Sequence, residues 1–172
     1  MIDYKFEKYK LNIEDKEENT SFVKLKLLES NGIALTDEER RKVYIVHSDK
    51  EVLYVGEAHT SMKLRMQRGY TAFNYLQKNN KRRNGYGGYK WLDRTENPER
   101  TLILSVAIFG KEYDGDEERE IIEAIEGELV YLVRNKTGKW PELQNEIHFH
   151  NIENTKETAD SILKKAFEGR LM

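Results

Sequence analysis

Two short apolar runs, Val43–Val46 and Val52–Val55, are separated by the polar stretch HSDKE. Both runs are rich in β-branched and aromatic residues, and a polar break of this length is typical of a hairpin loop. The second run ends at Gly56, where the chain can turn away or another group can approach the backbone closely. The pattern therefore predicts a β-hairpin over these residues.

Other periodic segments predict the next elements along the chain. Apolar positions at mixed helical spacing predict a helix within 61–80, and the run RTLILSVAIFG at 100–110 predicts a strand. A long helix is predicted between Asp116, as its cap, and Gly138, with acidic residues in its first turn. Residues 154–172 predict a terminal helix.

The order strand, strand, helix, strand, helix predicts an α+β fold with a small, mostly antiparallel three-stranded sheet flanked by helices. We expect one globular domain, in which a core over 42–146 has an N-terminal extension, 1–41, and a C-terminal extension, 147–172. Within the first extension, SFVKLKLLES reads as a strand or a short helix, and Thr36 is positioned to cap a short helix.

Composition excludes several classes of protein. The chain has no cysteine, which excludes a disulfide framework, thiol catalysis and any zinc site built on cysteine. The start MIDYKFEKYK lacks the apolar segment of a secretory signal, and no run approaches the roughly 20 apolar residues that cross a bilayer. We therefore expect a soluble, cytoplasmic protein with no membrane partner.

The net charge is −2, but the charges are segregated along the chain. From Lys63 to Arg94 there are nine Lys or Arg residues and one acid, whereas from Glu112 to Glu128 there are nine acids and one base. The basic segment could face phosphate. The acidic segment could be a solvated helix start, the neighbourhood of a metal, or both.

One carboxylate lies on the wrong face of the long predicted helix. At roughly 100° per residue, Glu126 falls between Val130 and Val133, on the face that also carries Ile122 and Leu129. A buried, unpaired carboxylate is costly, so such groups are paired, protonated or bound to metal. Helix geometry leaves two interpretations open: a glutamate that reaches solvent or pairs with an arginine, and a metal-binding or catalytic carboxylate.

The tyrosines of the hairpin have the same two interpretations. Tyr44 and Tyr54 are most simply packing residues of adjacent strands. Nine residues after Gly56, however, comes Arg65, and the fork of an arginine is suited to holding phosphate. Two tyrosines, a glycine, an arginine, a basic and aromatic stretch and an inward glutamate thus occur one after another in order.

In this order, the segments KVYIV, LYVG, LRMQR and IEGELVYLV resemble the GIY-YIG nuclease domain over about residues 42–146. The first segment keeps the tyrosine, with Lys42 and Val43 at the positions of the usual Gly and Ile. The segment PELQN after the helix is similar to a Pro…Asn ending common in the family, which points to Asn145.

The resemblance implies a metal-dependent DNA endonuclease that hydrolyses phosphodiester bonds, with Mg²⁺ or another divalent cation such as Mn²⁺ on Glu126. Arg65 would neutralise charge on the phosphate in the transition state. Tyr44 would take a proton from the attacking water or orient it, and Tyr54 would hydrogen-bond the water or the phosphate. A cation beside Tyr44, from Lys90, Arg65 or the metal, is expected to lower its pKa.

Two departures from the family matter. Four residues after the arginine the family often has His or Tyr, and here Gly69 stands there, so Tyr70 becomes the candidate for that role, with His59 as the second choice. The chain also carries a basic insert at about 71–100, a layout similar to that of small stand-alone phage members, in which Lys90 would assist at the active site.

The insert and the end of the preceding helix supply the candidate DNA-binding residues. They are Arg68, Lys78, Lys81, Arg82, Arg83, Lys90 and Arg94. Cations of this kind bind the phosphate backbone while interleaved aromatic residues stack on bases. A solvated helix and loop whose aromatic residues pack on the core is the other interpretation.

We expect a restriction-type or phage-type enzyme. A homodimer or higher homo-oligomer is one arrangement open to it, because one site that cuts both strands needs a second copy or sequential nicking. The alternative is a non-catalytic nucleic-acid-binding module with an eroded site.

Overall fold

The computed structural model describes residues 1–16, 20–27, 32–82, 84, 88–89, 91, 102–144 and 147–168. The strands are β1 (Tyr4–Lys16), β2 (Thr20–Leu27), β3 (Lys42–His47), β4 (Val52–Ala58) and β5 (Leu102–Phe109). The helices are α1 (Ile33–Thr36), α2 (Met62–Asn79), α3 (Arg119–Thr137) and α4 (Thr155–Phe167), with a 3-10 turn at Lys111–Tyr113. The predicted α+β fold with an antiparallel sheet is confirmed.

The sheet has the strand order β2-β1-β5-β3-β4, and every neighbouring pair is antiparallel. The predicted hairpin is β3 with β4, in which Tyr44 lies opposite Gly56. The prediction of three strands is wrong, because β1 and β2 extend the sheet to five. The partner of β1 is β5, with Tyr9 opposite Leu104, and a partner so distant in sequence leaves no local signal.

The sheet lies between two helical layers. Tyr44 and Val46 of β3 point into a core that α1 and α2 cover. Val43 and Ile45 point the other way, into a core shared with α3 and α4. Because β3 is buried on both faces, its sequence is almost continuously apolar. Two of the predicted site residues therefore come from opposite layers: Arg65 lies on α2, against one face of the sheet, and Glu126 lies on α3, against the other.

The helix ends correct two details of the predictions. The short helix α1 ends at Thr36, whereas the sequence predicted that a helix begins there; the Asp37 side chain instead accepts a hydrogen bond from the Glu39 N–H at 2.9 Å and forms a turn. The N-cap of α3 is Glu118, without a side-chain cap, whereas the prediction named Asp116.

Within the described ranges, no helix combines the length and apolar character needed to cross a membrane.

Candidate active site

Both hairpin tyrosines turn toward α2, and a glycine makes room for them. The ring centroids of Tyr44 and Tyr54 are 5.9 Å apart. A Cβ atom built on Gly56 would lie 2.7 Å from the Tyr44 hydroxyl oxygen and 2.7 Å from Cε1 of Tyr54. Carbon atoms do not approach so closely, so any other residue at position 56 would displace one of the rings. The absence of a side chain at Gly56 therefore leaves the space that the two tyrosine rings occupy.

Arg65 reaches these rings from the first turn of α2. Ser61 is the N-cap of the helix, and its hydroxyl oxygen accepts the N–H of Leu64 at 3.4 Å. The half-buried Arg65 side chain donates its Nε–H to the Tyr44 hydroxyl across 3.3 Å. The arginine and the first tyrosine of the sequence pattern are thus in direct contact.

A third tyrosine, which is not among the predicted site residues, completes this cluster. The Tyr89 hydroxyl lies 3.1 Å from that of Tyr44 and donates to the backbone carbonyl of Arg65 at 3.4 Å. The Arg65 Cζ is 5.9 Å from the centroid of the Tyr89 ring, within the range of a cation–π contact. The Tyr54 ring lies 6.0 Å from the same centroid.

Two glycines allow Tyr89 to lie against α2. A Cβ atom on Gly69 would overlap the Tyr89 ring, and the backbone N–H of Tyr89 donates to the Gly69 carbonyl at 3.3 Å. Gly88 has φ +70°, and a Cβ there would lie 2.7 Å from Cα of Phe73. A glycine inside a helix costs about 1 kcal/mol relative to alanine, so Gly69 was a signal that something packs closely on this helix.

Burial controls the protonation of Tyr44. The residue is 0% exposed, and its burial raises the pKa well above 10.0, with Tyr89 adding to the rise and Arg65 opposing it. Arg65 acts to lower this pKa, as expected of a neighbouring cation, but one cation does not outweigh complete removal from water, so the net shift is upward. Tyr44 stays protonated at neutral pH and acts as a hydrogen-bonding partner of Arg65.

Glu126 approaches from the opposite layer. It lies half-buried on α3, which contacts the edge strand β4. Its pKa is raised to about 8, first by burial and then by the charges of Glu57 and Glu123, and Arg65 is the largest charge that opposes the rise. Within the described part of the chain, Glu126 makes no hydrogen bond and no ion pair. The sequence left open that Glu126 pairs with an arginine. The structure shows an electrostatic interaction with Arg65 and no ion pair between these two described residues.

Glu57 belongs to the same neighbourhood and is held in place. The Arg41 guanidinium, itself 4% exposed, binds the Glu57 carboxylate at 3.1 Å and the Gly115 carbonyl at 3.0 Å. Glu57 follows Gly56 in β4, so it points to the face of the strand opposite the tyrosine rings, the face that α3 covers, and its charge acts on Glu126. Among the described residues Glu126 forms no ion pair, and the carboxylates of Glu57 and Glu123 disfavour its charged form.

These surroundings fit a divalent cation that is held mainly by one carboxylate. Among the described residues there is no group of three or more His, Cys, Asp or Glu that could hold a metal ion. Mg²⁺ keeps several waters and commonly takes one or two carboxylates together with substrate phosphate, so such a cage is not required. Glu126, with its raised pKa, is the residue that would hold it.

The remaining candidates fall into three groups. Tyr70 is buried on the inner side of α2, and its hydroxyl finds no hydrogen-bond partner among the described residues. Of the basic candidates, those that are exposed on α2 or just after it are Arg68, Lys78, Lys81 and Arg82. The candidates outside the described residues are Arg83, Lys90, Arg94 and Asn145.

The segment just before Asn145 runs along β4. The Gln144 side chain accepts the Val55 N–H at 2.9 Å and donates to the Val55 carbonyl at 3.0 Å. The Leu143 N–H donates to the Leu53 carbonyl at 3.0 Å. These bonds cover the outer edge of the hairpin and keep the PELQN segment beside the strand that carries Tyr54.

Lys42, the departure in the first motif, has a structural role. Its side chain is 0% exposed, and its Nζ donates to the carbonyls of Asp37 at 2.8 Å and Arg40 at 2.6 Å. These bonds tie the turn after α1 to the start of β3. The lysine at this position therefore holds the turn before β3 and does not contact the tyrosine cluster.

A scan against protein-family models finds no match, and neither does a search of curated proteins or of solved structures. A function for this chain therefore has to be argued from the residues of the site and their geometry.

Proposed function

We propose that this protein is a metal-dependent DNA endonuclease that hydrolyses phosphodiester bonds by a GIY-YIG type of mechanism. The observation that carries the proposal is the contact between Arg65 and Tyr44, 3.3 Å long, beside Tyr54 and within electrostatic reach of Glu126. A phosphate-binding arginine, hydroxyl groups and a carboxylate available to a cation are the groups that phosphodiester hydrolysis needs.

Arg65 binds the scissile phosphate. A guanidinium presents five N–H donors in a rigid plane, and the bond from Nε to Tyr44 fixes the orientation of that plane. Charge that grows on the phosphate oxygens in the transition state is then met by donors that are already oriented.

The two hairpin tyrosines have separate roles. Tyr44, protonated and buried, orients Arg65 and does not serve as the base while it is buried in this way. Tyr54 is 8% exposed and donates a hydrogen bond to the attacking water or to the phosphate. This division of roles replaces the expectation that Tyr44 takes the proton of the water.

Glu126 would hold a divalent cation, Mg²⁺ or Mn²⁺, which when bound would stabilise negative charge on the leaving oxygen. Because a metal ligand has to be the ionised carboxylate, Glu126 would have to lose its proton to bind the cation. The charges of Glu57 and Glu123 add to the attraction for the cation.

DNA lies along the exposed side of α2 and the insert. Arg68, Tyr75 and Lys78 are exposed and spaced by seven and three residues, so they share one side of the helix. Two cations separated by an aromatic ring suit a phosphate backbone with an unstacked base. With one site per chain, cleavage of both strands proceeds through a homodimer or by successive nicks.

Supercoiled plasmid incubated with the purified protein tests the proposal. We expect cleavage in Mg²⁺ or Mn²⁺ and none in EDTA. Glu126→Ala should abolish cleavage while a gel shift in EDTA still detects DNA binding. Glu120→Ala, which removes an exposed carboxylate from the same helix, is the matched control and should cut normally. Normal cleavage by Glu126→Ala would show that the metal assignment is wrong.

One observation favours a second candidate, a nucleic-acid-binding module without catalysis. Tyr44 is 0% exposed, and Tyr89 covers the position of Gly69, where the resembled family often carries His or Tyr. A module of this kind would shift DNA in a gel at low salt and leave plasmid intact with either cation. The same pair of assays therefore separates the two candidates.

A further inference from the structure

Resting on the nuclease function proposed above, we propose that Tyr89 is a positioning residue of the site, whose hydroxyl keeps Tyr44 and Arg65 in the geometry that receives phosphate. Tyr89 belongs neither to the hairpin nor to α2, and no motif in the sequence marks it. Its ring is 2% exposed and its hydroxyl reaches both residues.

The three groups form a closed ring of hydrogen bonds. Arg65 donates its Nε–H to the Tyr44 oxygen at 3.3 Å, and Tyr89 donates its hydroxyl to the Arg65 carbonyl at 3.4 Å. A phenol has one hydrogen to donate, so the 3.1 Å contact between the two hydroxyls is assigned to Tyr44 as donor and Tyr89 as acceptor. Each of the three residues is thereby held in position by a hydrogen bond to the next one in the ring.

The Tyr89 ring is held in place independently of this network. It lies on Gly69, it stacks at 4.9 Å and 30° against Trp91, and the left-handed Gly88 directs the chain onto α2. Packing alone would be served equally well by phenylalanine. The hydroxyl is therefore the part of the side chain that separates a positioning role from a structural one.

The first test removes only that hydroxyl. Tyr89→Phe should lower kcat for plasmid nicking roughly tenfold or more, as for one hydrogen bond in a buried network, with little change in KM. In a Tyr44→Phe background the same change should alter kcat less than about twofold, because both variants break the same ring. Tyr131→Phe, which removes an exposed hydroxyl from α3, should match the wild type.

The second test does not depend on cleavage. In nuclear magnetic resonance spectra, the Arg65 Nε–H should exchange with water at least about tenfold faster in Tyr89→Phe than in the wild type, because its acceptor loses its anchor. The assignment of the resonance is checked by its loss in Arg65→Lys. Thermal unfolding of each variant reports any wider loss of structure.

The outcomes separate this inference from the proposed function. Unchanged kcat and unchanged exchange in Tyr89→Phe, with a wild type that cuts DNA, would overturn the role of Tyr89 and leave the nuclease intact. Faster exchange in a protein that never cuts DNA would overturn the nuclease and support the positioning role. Additive effects of the Tyr44 and Tyr89 variants on kcat would show that Tyr89 does not act through Tyr44.

Discussion

The Nε–H of Arg65 is hydrogen-bonded to the hydroxyl of Tyr44 across 3.3 Å, and this bond joins the first turn of α2 to β3, the neighbour of the edge strand β4. It uses the Nε–H, which lies in the plane of the guanidinium, so it constrains the orientation of that plane and of the other donors. Tyr44 in turn is kept protonated by its burial. The pair therefore behaves as one oriented group.

Arg65→Lys tests the orientation of this group. Lysine keeps the charge but loses the planar fork and the donor to Tyr44, so cleavage should fall on the order of 10³-fold while DNA binding is retained. Single-turnover nicking rates and gel shifts provide the two measurements. The control is Arg134→Lys near the end of α3, whose rate should stay at the wild-type level; an active Arg65→Lys would mean that charge alone suffices.

Gly56→Ala tests the packing of the tyrosines. The added methyl group would lie 2.7 Å from both rings, so we expect a loss of about 1–3 kcal/mol in the free energy of unfolding and the loss of cleavage. Gly138→Ala is the comparison, because Gly138 has φ +73° and no neighbour within 4 Å. It should cost about 1 kcal/mol through backbone strain and leave cleavage unchanged. Urea denaturation and plasmid nicking measure the two effects.

The protonation of Glu126 links stability to pH. Its pKa in the fold is about 8, above the ordinary value of 4.5, because burial and the neighbouring carboxylates disfavour the charge. Protonated Glu126 therefore contributes fully to the free energy of unfolding below pH 4.5, and this contribution is lost as the pH rises through 8. Glu126→Gln should gain stability over the wild type between pH 5 and pH 9 in urea denaturation without metal. An equal difference at both pH values would contradict the raised pKa.

His47 links stability to pH in the opposite direction. It is 1% exposed, its ring nitrogens contact the Ser48 carbonyl and the Ser105 hydroxyl at 2.9 Å each, and burial lowers its pKa to about 4. The unfolded chain therefore takes up the proton first, and stability is lost as pH falls from 6.5 toward 4, by roughly 3 kcal/mol.

Urea midpoints at several pH values in this range measure that loss. His47→Gln should lack this part of the pH dependence, whereas His59→Gln, which changes a largely exposed ring, should retain it. A His47→Gln profile parallel to that of the wild type would show that other groups titrate in this range.

The exposed side of α2 predicts a salt dependence. If Arg68 and Lys78 each contact one phosphate, Arg68→Ala and Lys78→Ala should each reduce the slope of log K against log salt by about 0.9 in a gel-shift or anisotropy titration. Lys156→Ala removes an exposed charge from α4 and should leave the slope unchanged. Equal slopes for all three variants would place the DNA elsewhere.

Periodicity alone was enough to predict the hairpin, the strand β5, the long helices and the inward position of Glu126. These features repeat every two or 3.6 residues, and such a pattern is complete within one segment. It also placed Tyr44, Gly56 and Arg65 at separations that a hairpin and the helix after it could bring together, as the contact between Arg65 and Tyr44 shows.

Only the tertiary structure decided the rest. Strand β1 finds its partner in β5, and Tyr89 meets Tyr44 although 45 residues separate them, because such contacts depend on how whole elements pack. The protonation of Tyr44 was likewise beyond the sequence. An arginine beside a tyrosine suggests a lowered pKa, but removal from water is set by every layer above the ring, and here burial outweighs the cation.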